Sequence, residues 1–200
     1  MFNLKQLSPT ITDMIRFDHS HVMVTFHQYS PDKSPTVKKA LAETICDALE
    51  IHATLEEEFF YPVMRREDPK EPFIHKAEPE HDEMRRLIAE LRRTSGADPR
   101  HDDLVMELMR DVMHHVADEE TRLLPDAEKL LGKAHLSELG AAMNRRRLEM
   151  VGPKAGKLAK EHLVGFSGST AALAVGVAGA LIAAFALTPK KTWKTKPASL

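Results

Sequence analysis

Several features that define large classes of protein are rare or missing in this sequence. Cys46 is the single cysteine among 200 residues. One thiol excludes an intramolecular disulfide and a Cys-rich zinc or iron–sulfur site, and it fits a reducing compartment. The formal net charge is only −2, which argues against a nucleic-acid partner bound through bulk positive charge. Residues 1–6 lack the basic region and apolar core of a signal peptide, so none is predicted.

Aromatic and glycine residues are also scarce, and runs of β-branched residues are rare. Aromatic residues make up 6% of the chain and glycine occurs nine times. The chain is instead rich in Glu, Leu, Ala, Lys, Arg and Met, which favour helix. Eleven histidines is a high number for a chain of this size, and it calls for an explanation.

One motif that contains histidine occurs twice. Its copies begin at His52 and His115 and carry glutamates at offsets four and five, two bulky apolar residues, and a proline at offset ten. Residues four apart on a helix share a face. His52 with Glu56, and His115 with Glu119, therefore each present an imidazole beside a carboxylate, and two such faces turned toward each other would form a binuclear metal site.

Neighbouring side chains leave alternatives open within each copy. Glu57 and Glu120 compete for the role of the carboxylate, because each lies one residue further on. His114 competes with His115, because Asp118 lies four residues after it. The alignment of the two copies favours His115.

Four helices are predicted from N-cap residues, from prolines at the first helical position, and from apolar residues at helical spacing. Their predicted starts are Ser8-Pro9, Ser34-Pro35, Glu78-Pro79 and Asp98-Pro99. Pro62 is expected to kink or end the second helix. Short loops imply antiparallel neighbours, so the prediction is all-α: an up-down-up-down antiparallel four-helix bundle over residues 1–132.

The first and third predicted helices each add an acid–histidine pair, Asp18-His19 and Glu80-His81. The six predicted metal ligands are His19, His52, Glu56, His81, His115 and Glu119. If both carboxylates bridge, each metal receives two nitrogens and two oxygens, and about two positions per metal stay open. The donor types suit iron, manganese or zinc. The two tyrosines, Tyr29 and Tyr61, are assigned to packing.

This pattern resembles the hemerythrin family in its HHE cation-binding branch, over residues 10–130. The resemblance rests on Asp18-His19, His52-x3-Glu56-Glu57 ending in Pro62, Glu80-His81, and His114-His115-x3-Glu119-Glu120 ending in Pro125. It implies a four-helix bundle that holds two iron ions with a bridging oxygen, with the six residues above as ligands. Manganese and zinc remain alternatives to iron.

The chain departs from the oxygen-carrying members at one ligand. Those members have two histidines four apart on the third helix, whereas here the residues four away from His81 are Ala77 and Arg85. One ligand is therefore missing, or is replaced by water or another side chain. More open iron suits the sensing of dioxygen, peroxide or nitric oxide, or reaction with them, better than reversible oxygen storage. Slow peroxidase, catalase-like or nitric-oxide chemistry is left open. The alternatives are iron storage or delivery, and a metal-free interaction module.

The remaining residues are predicted to form a short helix with a basic linker (133–162), an apolar Ala/Gly-rich helix (163–188) and a basic tail (189–200). Residues 163–187 are 25 uncharged residues, long enough for a membrane anchor. A soluble partner-binding helix is the alternative. Lys and Arg are more numerous before this stretch than after it, which favours a bundle at the cytoplasmic, inner face of the membrane. A row of small residues at every fourth position would allow helix–helix self-association: Gly168, Ala172, Gly176, Ala180 and Ala184.

Overall fold

The computed structural model describes residues 9–165, and these contain helices but no strand. The α-helices are α1 (Ile11–Gln28), α2 (Pro35–Leu55), α3 (Tyr61–Glu67), α4 (Ala77–Arg93), α5 (Pro99–Asp118), α6 (Leu124–Leu130), α7 (Lys133–Val151) and α8 (Ala155–Gly165). Two π-helical turns lie at Glu56–Phe60 and Glu119–Leu123, and 3-10 turns lie at Phe73–His75 and Gly152–Lys154. α1 packs against α2, and α4 against α5, which is consistent with a bundle.

Local capping chemistry explains where the helices begin. The Ser34 side chain accepts a hydrogen bond from the backbone of α2, and the Asp98 side chain does the same for α5, each with proline in the first turn. Both starts agree with the prediction. α1 begins slightly later than predicted, because Thr10 and Asp13 form a reciprocal capping box there.

The helix that carries each repeated motif continues past its proline. In each copy a π-helical turn comes directly before α3 or α6, and the backbone N–H of Tyr61 bonds to the carbonyl of Glu56, as that of Leu124 bonds to Glu119. A proline in an ordinary α-helix lacks a donor and collides with the carbonyl four residues earlier. The wider turn accommodates that conflict without ending the helix, and turns of this kind are frequent at functional sites.

Two apolar clusters form the core. One surrounds Phe60 and Tyr61, and the other is built on α1, α2, α4 and α5 around Leu87 and Leu108. α7 belongs to the first cluster through Leu136 and the fully buried Met143. The segment predicted as a short helix with a linker is therefore helical over most of its length, because the apolar side of α7 completes the core.

Among residues 9–165 no helix is both long and apolar enough to cross a bilayer. The stretch predicted as a membrane anchor, 163–187, lies outside the described residues except for its first three, which end α8. The anchor, the row of small residues and the location at the inner face of the membrane stay predictions.

Candidate metal centre

The structure brings all six predicted donors together at the middle of the bundle. Their potential ligand atoms form two groups, and within each group every atom lies within 4.8 Å of the others. One group contains His19, His52, Glu56 and Glu119, and the other contains Glu56, His81 and His115. Glu56 belongs to both, and all six residues are at most 4% exposed. α1, α2, α4 and α5 each contribute one histidine, and each glutamate opens a π-helical turn.

The two glutamates lie between the histidine pairs. Glu56 Oε2 is 3.2 Å from Nε2 of His52 and 3.5 Å from Nε2 of His81. Glu119 Oε2 is 3.2 Å from Nε2 of His19 and 3.8 Å from Nε2 of His115. Each carboxylate therefore faces one imidazole of each pair, which is the arrangement that two bridging carboxylates require.

Several inward-facing atoms are buried without a hydrogen-bond partner. They are Nε2 of His19 and His52, Oε1 of Glu56 and Oε2 of Glu119. A buried polar group without a partner costs about 1–3 kcal/mol. A pair of cations bound at this point would satisfy all four atoms at once, so the residues present fit a two-metal centre.

The outer nitrogen of each imidazole faces a second carboxylate. His19 Nδ1 lies 2.8 Å from Glu120, and His81 Nδ1 lies 2.9 Å from Glu57. His115 Nδ1 lies 2.9 Å from Glu80. His52 Nδ1 lies 3.5 Å from Asp18, a longer contact that leaves this nitrogen without a hydrogen bond. In the other three imidazoles, the carboxylate at Nδ1 holds the proton there and leaves the Nε2 lone pair free for a metal.

These contacts assign a place to the four acidic residues that are not in either ligand group. Asp18 and Glu80 do not serve the histidines next to them in the chain, but face His52 and His115 on other helices. Glu57 and Glu120, the alternative carboxylates of the motif, lie behind His81 and His19 rather than in either ligand group.

Tyr61 is the residue that the sequence analysis missed. It is fully buried, and its hydroxyl oxygen lies 3.0 Å from Glu119 Oε1 and 3.1 Å from Glu56 Oε2. The same oxygen is 3.4 Å from Nε2 of both His81 and His115. A signal was present in the repeat, because the second copy has Leu124 where the first has this tyrosine.

α4 has no second histidine four residues from His81. Arg85, four residues after His81, holds both oxygens of Glu57 at 2.7 Å. Glu57 in turn bonds to His81. Inside the centre, the Tyr61 hydroxyl oxygen lies close to His81 and His115.

Burial and close charges set the protonation of the centre. Burial raises the pKa of Glu56, and the negative charge of Glu119 raises it further. Burial also opposes ionisation of Glu119, but the neighbouring His115 and His19 outweigh it and lower that pKa. Burial lowers the pKa of His52 to about 4. One carboxyl of the pair therefore keeps a proton in the metal-free chain, while His52 is neutral and ready to act as a ligand.

The other histidines lie outside both ligand groups. His114, the competitor of His115, is exposed. His101 is buried but bonds to the hydroxyl of Tyr29, and His21 stacks on His162. A third acidic group contains Glu43, Asp47 and Glu161, but basic side chains, including Arg92 and Lys157, already pair with it.

A small cavity borders all four imidazoles of the centre. The space in which the centre of a water molecule could lie is about 10 Å³. The cavity therefore has room for roughly one water-sized molecule. Asp18 also borders the cavity, and the rest of the lining is apolar: Val22, Leu49, Ala53, Met84, Val112 and Val116.

Comparison with known proteins agrees with this geometry. The family model described as the hemerythrin HHE cation binding domain matches residues 10–127, a range that contains all six donors and Tyr61. A DNA nickase from Nostoc sp. is 32% identical over 117 residues, which cover 56% of this chain and 32% of that protein. The chain thus matches only about a third of that relative's length. No solved structure matches the chain. The chain belongs to the hemerythrin HHE cation-binding domain family.

Proposed function

We propose that this chain is a non-haem di-iron protein that binds, senses or reacts with one small oxidant: dioxygen, peroxide or nitric oxide. The observation that carries the proposal is the sharing of Glu56 between two buried groups of donors. Imidazole nitrogens and carboxylate oxygens without thiolate suit iron. One position would be held by His19 and His52, the other by His81 and His115, with Glu56 and Glu119 between them.

Bound iron would supply redox chemistry and open positions for an oxidant. The chain's own residues determine what reaches it. The cavity at the imidazoles has room for about one water-sized molecule, which suits a small oxidant. Its mainly aliphatic lining offers few hydrogen bonds, and this keeps bulk water away from the centre.

Tyr61 provides a proton at the centre. Burial raises its pKa, as do the charges of Glu119 and Glu56, so its hydroxyl stays protonated in the metal-free chain and donates to one of the two carboxylates. With metal bound, the phenol oxygen would be available as a further oxygen donor close to His81 and His115.

Several observations disfavour the alternatives. Storage or delivery requires metal to leave readily, but the six donors are almost completely buried. In a metal-free interaction module, buried polar atoms of His19, His52, Glu56 and Glu119 would have no partner. They would destabilise the fold, and nothing would offset that loss. DNA nicking is not assigned to this chain, because the match covers a third of the relative and the net charge of −2 offers no general attraction for DNA.

The test is metal analysis of aerobically purified protein, with optical spectra before and after addition of peroxide. We expect two iron ions per chain and near-ultraviolet bands that peroxide changes. The variant His52→Leu/His115→Leu should lose the metal and the bands, whereas His114→Leu, at the exposed neighbouring position, should keep both. Protein without iron, or a double variant that retains it, would refute the proposal. Rapid release to a mild chelator without reaction with peroxide would support storage instead.

A further inference from the structure

Asp18 joins the centre to a helix that follows the matched family domain. Its two carboxylate oxygens each accept a hydrogen bond from the guanidinium group of Arg147, at 2.5 Å. The same carboxylate lies 3.5 Å from Nδ1 of His52. Asp18 is only 12% exposed and Arg147 only 20%, so this three-residue chain lies within the folded body rather than on its surface.

Arg147 belongs to α7, and the packing of α7 fixes it in place. A Cβ atom added to Gly140 would lie 2.4 Å from the carbonyl oxygen of Pro9 and 2.9 Å from the backbone nitrogen of Ile11. The helix therefore contacts the start of α1 backbone to backbone. Further along α7, Met143 is fully buried in the cluster that contains Tyr61. α7 is therefore packed closely at both levels, against the start of α1 and in the core.

Two other ligand histidines have a comparable support. Arg85 holds Glu57 behind His81, and Arg16 contacts Glu120 behind His19 at 3.3 Å. Both arginines lie within residues 10–127, whereas Arg147 lies beyond them. For His81 and His19, the arginine behind the carboxylate lies inside the matched domain. For His52, the corresponding arginine is Arg147, which lies outside it.

We propose that Arg147 is a positioning residue of the metal centre, and that α7 is part of the functional unit. Its planar fork fixes the carboxylate of Asp18, which turns Nε2 of His52 toward Glu56 and Glu119. A bidentate arginine restricts a carboxylate in orientation as well as in position. The inference rests on the proposed two-metal function, and it assigns Arg147 to the position held by His19 and His52.

The test compares three arginine variants of the full chain by anaerobic titration with Fe²⁺ against a competing chelator. Arg147→Met should weaken one of the two binding steps about tenfold, the lower end of the effect of outer residues on metal affinity. Arg85→Met should weaken the other step, so the double variant should weaken both. Arg146→Met is the matched control, because Arg146 is the preceding residue of α7 and pairs with Glu58 outside both ligand groups.

Urea unfolding of the metal-free variants separates positioning from folding. If Arg147→Met binds Fe²⁺ as tightly as the Arg146→Met control, the inference is overturned. It is also overturned if Arg147→Met weakens both binding steps equally. If Arg147→Met does not fold, Arg147→Lys replaces it, with an expected loss of a few-fold, and unchanged affinity in that variant overturns the inference. Wild-type protein that binds no Fe²⁺ refutes the proposed function itself, whereas two bound ions with an inert Arg147 refute only this step.

Discussion

Replacement of Tyr61 by phenylalanine removes one oxygen from the middle of the centre and leaves the ring in the core. In the metal-free chain the hydroxyl donates to one of two carboxylates, at 3.0 Å from Glu119 or 3.1 Å from Glu56. A hydrogen bond to a charged group contributes about 1.5–3 kcal/mol. We therefore expect the free energy of unfolding to fall by about 2 kcal/mol, and Tm to fall by roughly 4–8 °C for a folded unit of this size.

Tyr29→Phe is the matched control for this experiment. The Tyr29 hydroxyl donates to Asp102 at 2.6 Å, so the same atom and the same type of hydrogen bond are removed at a site outside both ligand groups. When metal-free, Tyr29→Phe should lose less stability than Tyr61→Phe in urea unfolding, because Tyr29 and Asp102 are only partly buried and Asp102 also pairs with Lys38. Only Tyr61→Phe should also lose affinity for the second Fe²⁺, about 10- to 100-fold by chelator competition, together with any visible phenolate-to-iron absorption.

A Tyr61→Phe protein with unchanged iron affinity and spectrum would show that Tyr61 acts only in packing, as predicted from the sequence. An equal loss of iron affinity in Tyr29→Phe would also contradict the prediction, because it would trace the effect to general destabilisation of the bundle.

Three further predictions concern Glu56, the pH dependence of iron affinity, and the packing of α7 at Gly140. Glu56→Gln should leave the metal-free chain as stable or more stable near neutral pH in urea unfolding, because the amide imitates the protonated acid that burial favours, but it should abolish the binding of two metals. Iron affinity should rise with pH, because metal binding displaces protons from the ligands. The affinity rises rather than falls because these ligands hold protons in the metal-free chain: the pKa of Glu56 is raised, and the pKa of His19 is raised because Glu119 and Glu120 outweigh burial. A titration with a pH indicator would detect the released protons. Gly140→Ala should destabilise the chain by about 1–3 kcal/mol through its contact with Pro9, whereas Gly152→Ala, with open space around it, should not; thermal unfolding compares the two.

The sequence predicted the parts of the centre that depend on spacing within one helix. The offset of four placed His52 beside Glu56 and His115 beside Glu119, and the structure brings these residues to one point. Proline after a cap residue located the starts of α2 and α5. These signals are local, so a single sequence contains them in full.

Relations between helices could not be predicted in the same way. Asp18 faces His52 rather than His19, and this depends on how α1 is rotated and shifted against α2. The placement of Tyr61 depends on the π-helical turn directly before it, because the chain rotates less per residue in this wider turn than in an α-helix. The contact of Arg147 with Asp18 joins residues far apart in the chain, and nothing in the local pattern of either segment indicates it.

The two π-helical turns have a consequence for how a closed site is filled. The donors are almost completely buried, so an ion can enter only when part of the bundle opens. Hydrogen bonding is less regular in such turns than in α-helix, and local opening begins where the backbone is least tightly bonded. Because Glu56 and Glu119 each start one of these turns, we expect metal uptake to proceed by brief loosening at the acidic ligands, with the ends of the long helices still intact.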